Sequence, residues 1–309
     1  YLMSIINSIQ EIQIIDSRGT PTVSCKVTLD NGIYATSMVP SGASTGSREA
    51  LELRDGASTY KGKGVTKAVA NIHEIIAPAL VGMDVTNQQE IDETMLALDG
   101  TSSKSKLGAN AILGVSLAVL DAGSKTLELP LYEHINQVFA NINGEKPRMQ
   151  MPTPMLNIIN GGEHADNNID IQEFMIMPIG ANNFSQAMQW ATEIYSDLKN
   201  ILNAKGLSTS VGDEGGFAPN LQSNQEAIEL IIQAIRNNNL TEGKDVGIAL
   251  DCAASEFYNN GIYNLQGESI KLNSSEFTNY LSELTRQYPI FSIEDGMDES
   301  DFEGWKNLN

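Results

Sequence analysis

Gly247-Ile-Ala-Leu-Asp251 and, further along, Ile290-Phe-Ser-Ile-Glu294 are two short apolar runs that each end in a carboxylate. Val246 to Leu250 and Pro289 to Ile293 read as buried strands. Such strands belong to a parallel sheet covered by helices, and in an α/β barrel their C-terminal ends form the catalytic face. Asp251 and Glu294 therefore share one placement. Two carboxylates converging there suit a hard cation such as Mg2+, which wants oxygen ligands in near-octahedral geometry. Two solvated loop acids or helix caps remain the plain alternative.

The surrounding segments keep the same rhythm. Met155 to Ile159 and Ile171 to Ile179 read as strands, and Phe184, Ala187, Met188, Ala191, Ile194, Tyr195 and Leu198 line one face of a helix. Ser223 to Glu226 reads as a capping box that opens a second amphipathic helix through Ile235. Gln172 and Glu173 stand at the start of their strand, not its end. For them to share a site with Asp251 and Glu294, that strand has to run antiparallel to the others.

The N-terminal part has a different grammar. Val23, Cys25, Val27 and Leu29 alternate with polar residues, Asp30-Asn31-Gly32 makes a tight turn, and Ile33 to Val39 returns as a partner strand. Helical periodicity follows at Val65 to Ala79, Gln88 to Leu98 and Asn110 to Leu127. Strands first and helices after predict a small α+β domain. A polar stretch at 141–150 separates it from the barrel-like part, which gives domains of 3–140 and 141–309. Only about 160 residues follow that boundary, where a full eightfold barrel takes about 250, so the expectation is an incomplete barrel whose C-terminal part is absent. Tyr1-Leu2 ahead of Met3 reads as a remnant before the natural start.

Composition narrows the function classes. The 39 acidic against 19 basic residues give a formal charge of −20, which argues against unspecific nucleic-acid or anionic-membrane binding. A phosphate substrate would need the local field reversed, and divalent cations would do that. The two cysteines, Cys25 and Cys252, are too few for a disulfide framework or a zinc cluster. No basic, apolar leader is visible, and Ala109 to Leu120 is too short to span a bilayer. Dinucleotide, P-loop and serine-elbow templates all fail on their spacing. Gly212-Asp-Glu-Gly-Gly216 places Asp213 and Glu214 in a turn whose glycines allow close backbone approach, and His164 lies just past the first barrel strand.

Eight segments then occur in a familiar order. They are Asp16-Ser-Arg-Gly-Thr-Pro-Thr-Val23, Val39-Pro-Ser-Gly-Ala-Ser-Thr-Gly46, Leu107-Gly-Ala-Asn-Ala111, Asn157-Ile-Ile-Asn-Gly-Gly-Glu-His-Ala-Asp166, Gln172-Glu-Phe-Met175, Gly212-Asp-Glu-Gly-Gly-Phe-Ala-Pro219, Ala249-Leu-Asp-Cys-Ala-Ala-Ser255 and Ser292-Ile-Glu-Asp295. From about Ile9 to its last residue the chain resembles the enolases of bacterial type.

That resemblance implies Mg2+-dependent interconversion of 2-phosphoglycerate and phosphoenolpyruvate in glycolysis, with two ions per site. It assigns Asp251 and Glu294 to one ion and Ser41 to the second. Glu214, with Glu173, would be the catalytic acid, and His164, Gln172 and Glu173 would border the substrate. It implies an antiparallel second barrel strand, a homodimer or a ring of dimers, and a cytoplasmic protein that is also secreted or displayed at the cell surface. The base lysine, a second lysine and the arginine-serine pair for phosphate would lie beyond residue 309, which implies that this chain alone does not turn over. A binding role at the surface, or in an RNA-processing assembly, is the alternative within the resemblance.

Overall fold

The structure is a computed structural model and describes residues 4–42, 45–56, 58–212 and 214–309. It divides into two compact units, 1–149 and 150–309.

In the first unit β1 (Ile6–Ile15), β2 (Pro21–Leu29) and β3 (Tyr34–Met38) form an antiparallel meander with β2 in the middle. Val23, Cys25, Val27 and Leu29 are buried, as their alternation demands. The 30–32 turn closes on a Gly32 N–H to Leu29 carbonyl bond of 3.1 Å, with Gly32 at φ +83°, a conformation glycine adopts without steric cost. β1 was not legible in the sequence. Its isoleucines fall at 6, 9, 12, 14 and 15, which is not a strand period. A bulge between Ile6 and Ser8 shifts the register, and Ile12 and Ile15 are left exposed.

The helix expected over 65–79 is interrupted. α1 (Thr66–Asn71) passes through a π turn at Ile72–Ile76 into α2 (Ala77–Leu80). Pro78 has no N–H to give the carbonyl four residues earlier, which accounts for widening there. α3 (Gln88–Asp99) starts on the Asn87 side chain and ends at left-handed Gly100. α4 (Ala109–Thr126) lies on the sheet, and a Cβ at Gly114 would come within 2.9 Å of Cys25 Sγ. α5 (Leu131–Asn143) was also missed. It buries His134 and Asn136 and leaves Leu131, Ile135, Phe139 and Ile142 exposed, so its pattern reads inside out.

The second unit begins with β4 (Leu156–Asn160) and β5 (Glu173–Met177), followed by α6 (Phe184–Ala204) and α7 (Asn224–Asn237). β6 (Gly247–Asp251) leads to a small antiparallel sheet of β7 (Tyr258–Asn259), β8 (Ile262–Leu265) and β9 (Ile270–Asn273). α8 (Ser274–Gln287), β10 (Ile290–Glu294) and α9 (Phe302–Leu308) complete the order. The main sheet runs β10-β6-β5-β4. β6 and β10 are parallel, and β5 is antiparallel to both β4 and β6, so the second strand is reversed as expected. The four strands form an open sheet and do not close a barrel.

The core under this sheet joins Ile159, Phe174, Ile176, Ile248 and Leu250 to the apolar faces of α6, α7 and α8. Ser223 caps α7 by accepting from Glu226 N–H at 3.1 Å, but the Glu226 carboxylate reaches back to Gln222 N–H. The reciprocal capping box expected there is found instead at Asn273 and Glu276 on α8. The β7–β9 sheet had no signal beyond scattered aromatics, of which Tyr263 stacks on Phe277 of α8 at 4.4 Å.

Phe174 is fully buried at the centre of the sheet. Phe174→Ala is expected to cost about 3–5 kcal/mol, read as a lower denaturant midpoint for the second unit with the first unit's transition unmoved.

Candidate active site

The reversal of β5 decides which side chains meet. A strand's first residue lies at one end of the sheet, and the last residues of strands running the opposite way lie at that same end. Glu173, the first residue of β5, pairs with Asn160, the last of β4, and with Asp251, the last of β6; Glu294, the last of β10, pairs with Asp251. Three carboxylates and one carboxamide thus stand in a row across four strand ends. Asp295 follows immediately at φ +45° and adds negative charge beside Asp251 and Glu294. It was not singled out in the sequence, where it reads as one more loop acid.

Each member of the row is held differently. Gln172, only 3% exposed, donates Nε2–H to Asp251 Oδ2 at 3.1 Å, and its own Oε1 has no partner. Asp251 Oδ1 accepts from Ala253 N–H at 3.0 Å. His164 ends a short 3-10 turn, Gly162–His164, and is buried. Its Nδ1 lies 3.1 Å from Glu173 Oε1, but off the hydrogen-bonding line, so that nitrogen stays without a hydrogen bond. Glu214 comes in from the glycine turn, and one ligand-capable atom each of His164, Glu173 and Glu214 lie within 4.8 Å of one another. Asp213 lies outside the described residues.

Ser41 belongs to the first unit. Its hydroxyl donates to Glu52 Oε2 at 3.0 Å and accepts from Arg54 Nη2 at 3.3 Å.

The electrostatics follow from crowding of like charge. Burial first, then the charges of Asp251, Glu214 and Glu294, push the Glu173 carboxyl up to about 7, against a smaller downward pull from the Asn157 amide. Burial also raises Asp251, with Asp295 adding to it and the Ala253 and Gln172 hydrogen bonds opposing. Glu294 is raised by burial and by its two acidic neighbours. A row of carboxylates each shifted upward carries negative charge that a bound cation would relieve, and the oxygen donors of Asp251 and Glu294 fit Mg2+. Among the described residues the trio within ligand distance is nonetheless a different one, His164, Glu173 and Glu214, whose nitrogen suits a softer ion.

Fold and site together define an α/β-barrel type of domain with acids gathered at its strand ends, preceded by an α+β domain. Residues 148–309 match the family model described as "Enolase, C-terminal TIM barrel domain", and residues 6–135 match "Enolase, N-terminal domain". The chain belongs to the enolase family, and the match supports a lyase activity of that general type.

In the metal-free protein the folded state keeps the Glu173 proton up to about pH 7, whereas an unfolded glutamate releases it near 4.5. Between those values the native state binds more protons. The group's contribution to stability is therefore complete below about pH 4.5 and is lost as pH rises through about 7. Asp251 and Glu294 act in the same sense. With chelator present, the thermal midpoint is expected to fall between about pH 5 and pH 8, and Glu173→Gln to flatten that fall. A wild-type midpoint that rises over this interval contradicts the charge assignment.

Proposed function

We propose that this chain carries the acid, metal-holding and substrate-bordering residues for Mg2+-dependent, reversible dehydration of 2-phosphoglycerate to phosphoenolpyruvate. The observation that supports it most is the row of Glu173, Asp251 and Glu294 in register across adjacent strand ends, within the family match.

Asp251 and Glu294 would hold one ion; Ser41 is kept as a ligand of the second on the resemblance alone. The bound ions would supply positive charge to the substrate carboxylate while a proton is removed beside it. The remaining work belongs to the chain's own groups. Glu214 is the acid that gives a proton to the departing hydroxide, with Glu173 beside it. A Glu173 carboxyl near 7 can hold or release a proton at neutral pH, as an acid-base group must. Gln172 ties down Asp251 and leaves its Oε1 free to meet substrate. His164, nearly enclosed, walls the Glu173 side.

The proposal includes a cytoplasmic homodimer. Among the described residues no helix is long and apolar enough to cross a membrane. It also includes inactivity of these 309 residues on their own, because the resemblance places the base lysine and the phosphate-holding arginine beyond them.

Two measurements test this. Calorimetric Mg2+ binding to the 309-residue chain is expected to weaken about tenfold or more in both Asp251→Asn and Glu294→Gln. Unchanged binding in both rejects the metal assignment. A chain extended to the complete barrel is expected to raise ultraviolet absorbance from the enol product of 2-phosphoglycerate, with loss on chelation and in Glu214→Gln. No absorbance change from that folded, Mg2+-loaded chain rejects the reaction.

A further inference from the structure

Asn160 is wholly buried, yet among the described residues neither its Oδ1 nor its Nδ2 has a hydrogen-bond partner. A buried side chain without hydrogen bonds acts on its neighbours through the space it fills. Gly212 and Gly216 flank Glu214 on the turn above, and neither has the positive φ that would by itself demand glycine. What they lack is space. A Cβ at Gly216 would sit 2.3 Å from Asn160 Oδ1 and 2.8 Å from Asn157 Oδ1. A Cβ at Gly212 would sit 3.0 Å from Asn160 Cβ and 2.4 Å from the His164 carbonyl oxygen.

Both flanks of the turn thus rest on one side chain. The backbone is fixed around the same point: Asn160 N–H donates to the Phe217 carbonyl at 2.9 Å, and Phe217 N–H donates to the Ile158 carbonyl at 3.0 Å. Gly212 N–H closes the turn on the Gly216 carbonyl at 2.8 Å. From the outer side Tyr195 donates its hydroxyl to the Gly215 carbonyl at 2.9 Å.

We propose that Asn160 is the positioning residue for Glu214: its side chain is the wedge on which Gly212 and Gly216 seat, and this holds the Glu214 carboxylate against His164 and Glu173. The meaning for chemistry rests on Glu214 being the acid; the seating does not. Asn160 works by shape, since its amide makes no hydrogen bond among the described residues.

The test is made by nuclear magnetic resonance on the full chain without metal or substrate. Asn160→Ala is expected to speed amide exchange at Gly212 and Phe217 by about tenfold or more, and to remove the Overhauser contact between the Glu214 side chain and the His164 ring. The Ile248 amide, bonded to the Pro289 carbonyl on β6, is expected to keep its rate. Gly216→Ala is expected to lose both turn signals by pushing from the other side. Retention of the contact and of slow exchange in Asn160→Ala overturns the proposal. Acceleration spread equally to Ile248 overturns it as well, because the effect is then general loosening. A Gly216→Ala chain that keeps both turn signals overturns the shape argument. None of these signals depends on turnover or Mg2+ binding, so failure of the functional reading is seen separately.

Discussion

The reversed strand β5 is the constraint on which the rest of the second unit depends. Run parallel to its neighbours, it would carry Gln172 and Glu173 to the opposite end of the sheet, the length of a strand away from Asp251 and Glu294. Reversed, it puts Glu173 in register between Asn160 and Asp251 and lets Gln172 reach the Asp251 carboxylate. The hairpin-like connection between β4 and β5 is also what leaves the 161–170 loop standing over the strand ends, with His164 turned back into them.

The arrangement is electrostatically unfavourable in isolation. Like charges brought together in a partly buried place raise one another's affinity for protons, and Glu173, flanked by acids, shows it most. A cluster of this kind is tolerated where it serves binding or catalysis and where the surrounding fold is stable enough to carry it. The buried apolar mass between the sheet and helices α6, α7 and α8 provides that stability.

The site also depends on absent atoms. Gly212, Gly216 and Gly161 have no room for a Cβ, because neighbouring backbone or side-chain atoms approach within 2.5 Å of where it would be. Such close approach lets the Glu214 turn lie directly on the end of β4, and no larger residue reproduces it.

By itself the amino-acid sequence made the reversal of β5 only a condition for Gln172 and Glu173 to share the site; what it determined were the apolar strand runs, the helices with one buried face, and the acids at the ends of β6 and β10. These are local properties, set by periodicity and by residues adjacent in the chain. It did not reveal β1, whose bulge breaks the alternation, nor α5, whose apolar residues point outward. It gave Asn160 and Asp295 only as members of longer segments, without a role, because a polar residue at a strand end looks the same whether it faces solvent or is sealed beneath a turn. Only the tertiary structure decided that Glu214 meets His164 and Glu173, that burial and neighbouring acids push the Glu173 carboxyl up to about 7, and that Asn160 is buried without a partner among the described residues. The physical reason is that burial and charge crowding arise from groups distant in sequence, brought together by strand order and direction, which no local pattern encodes.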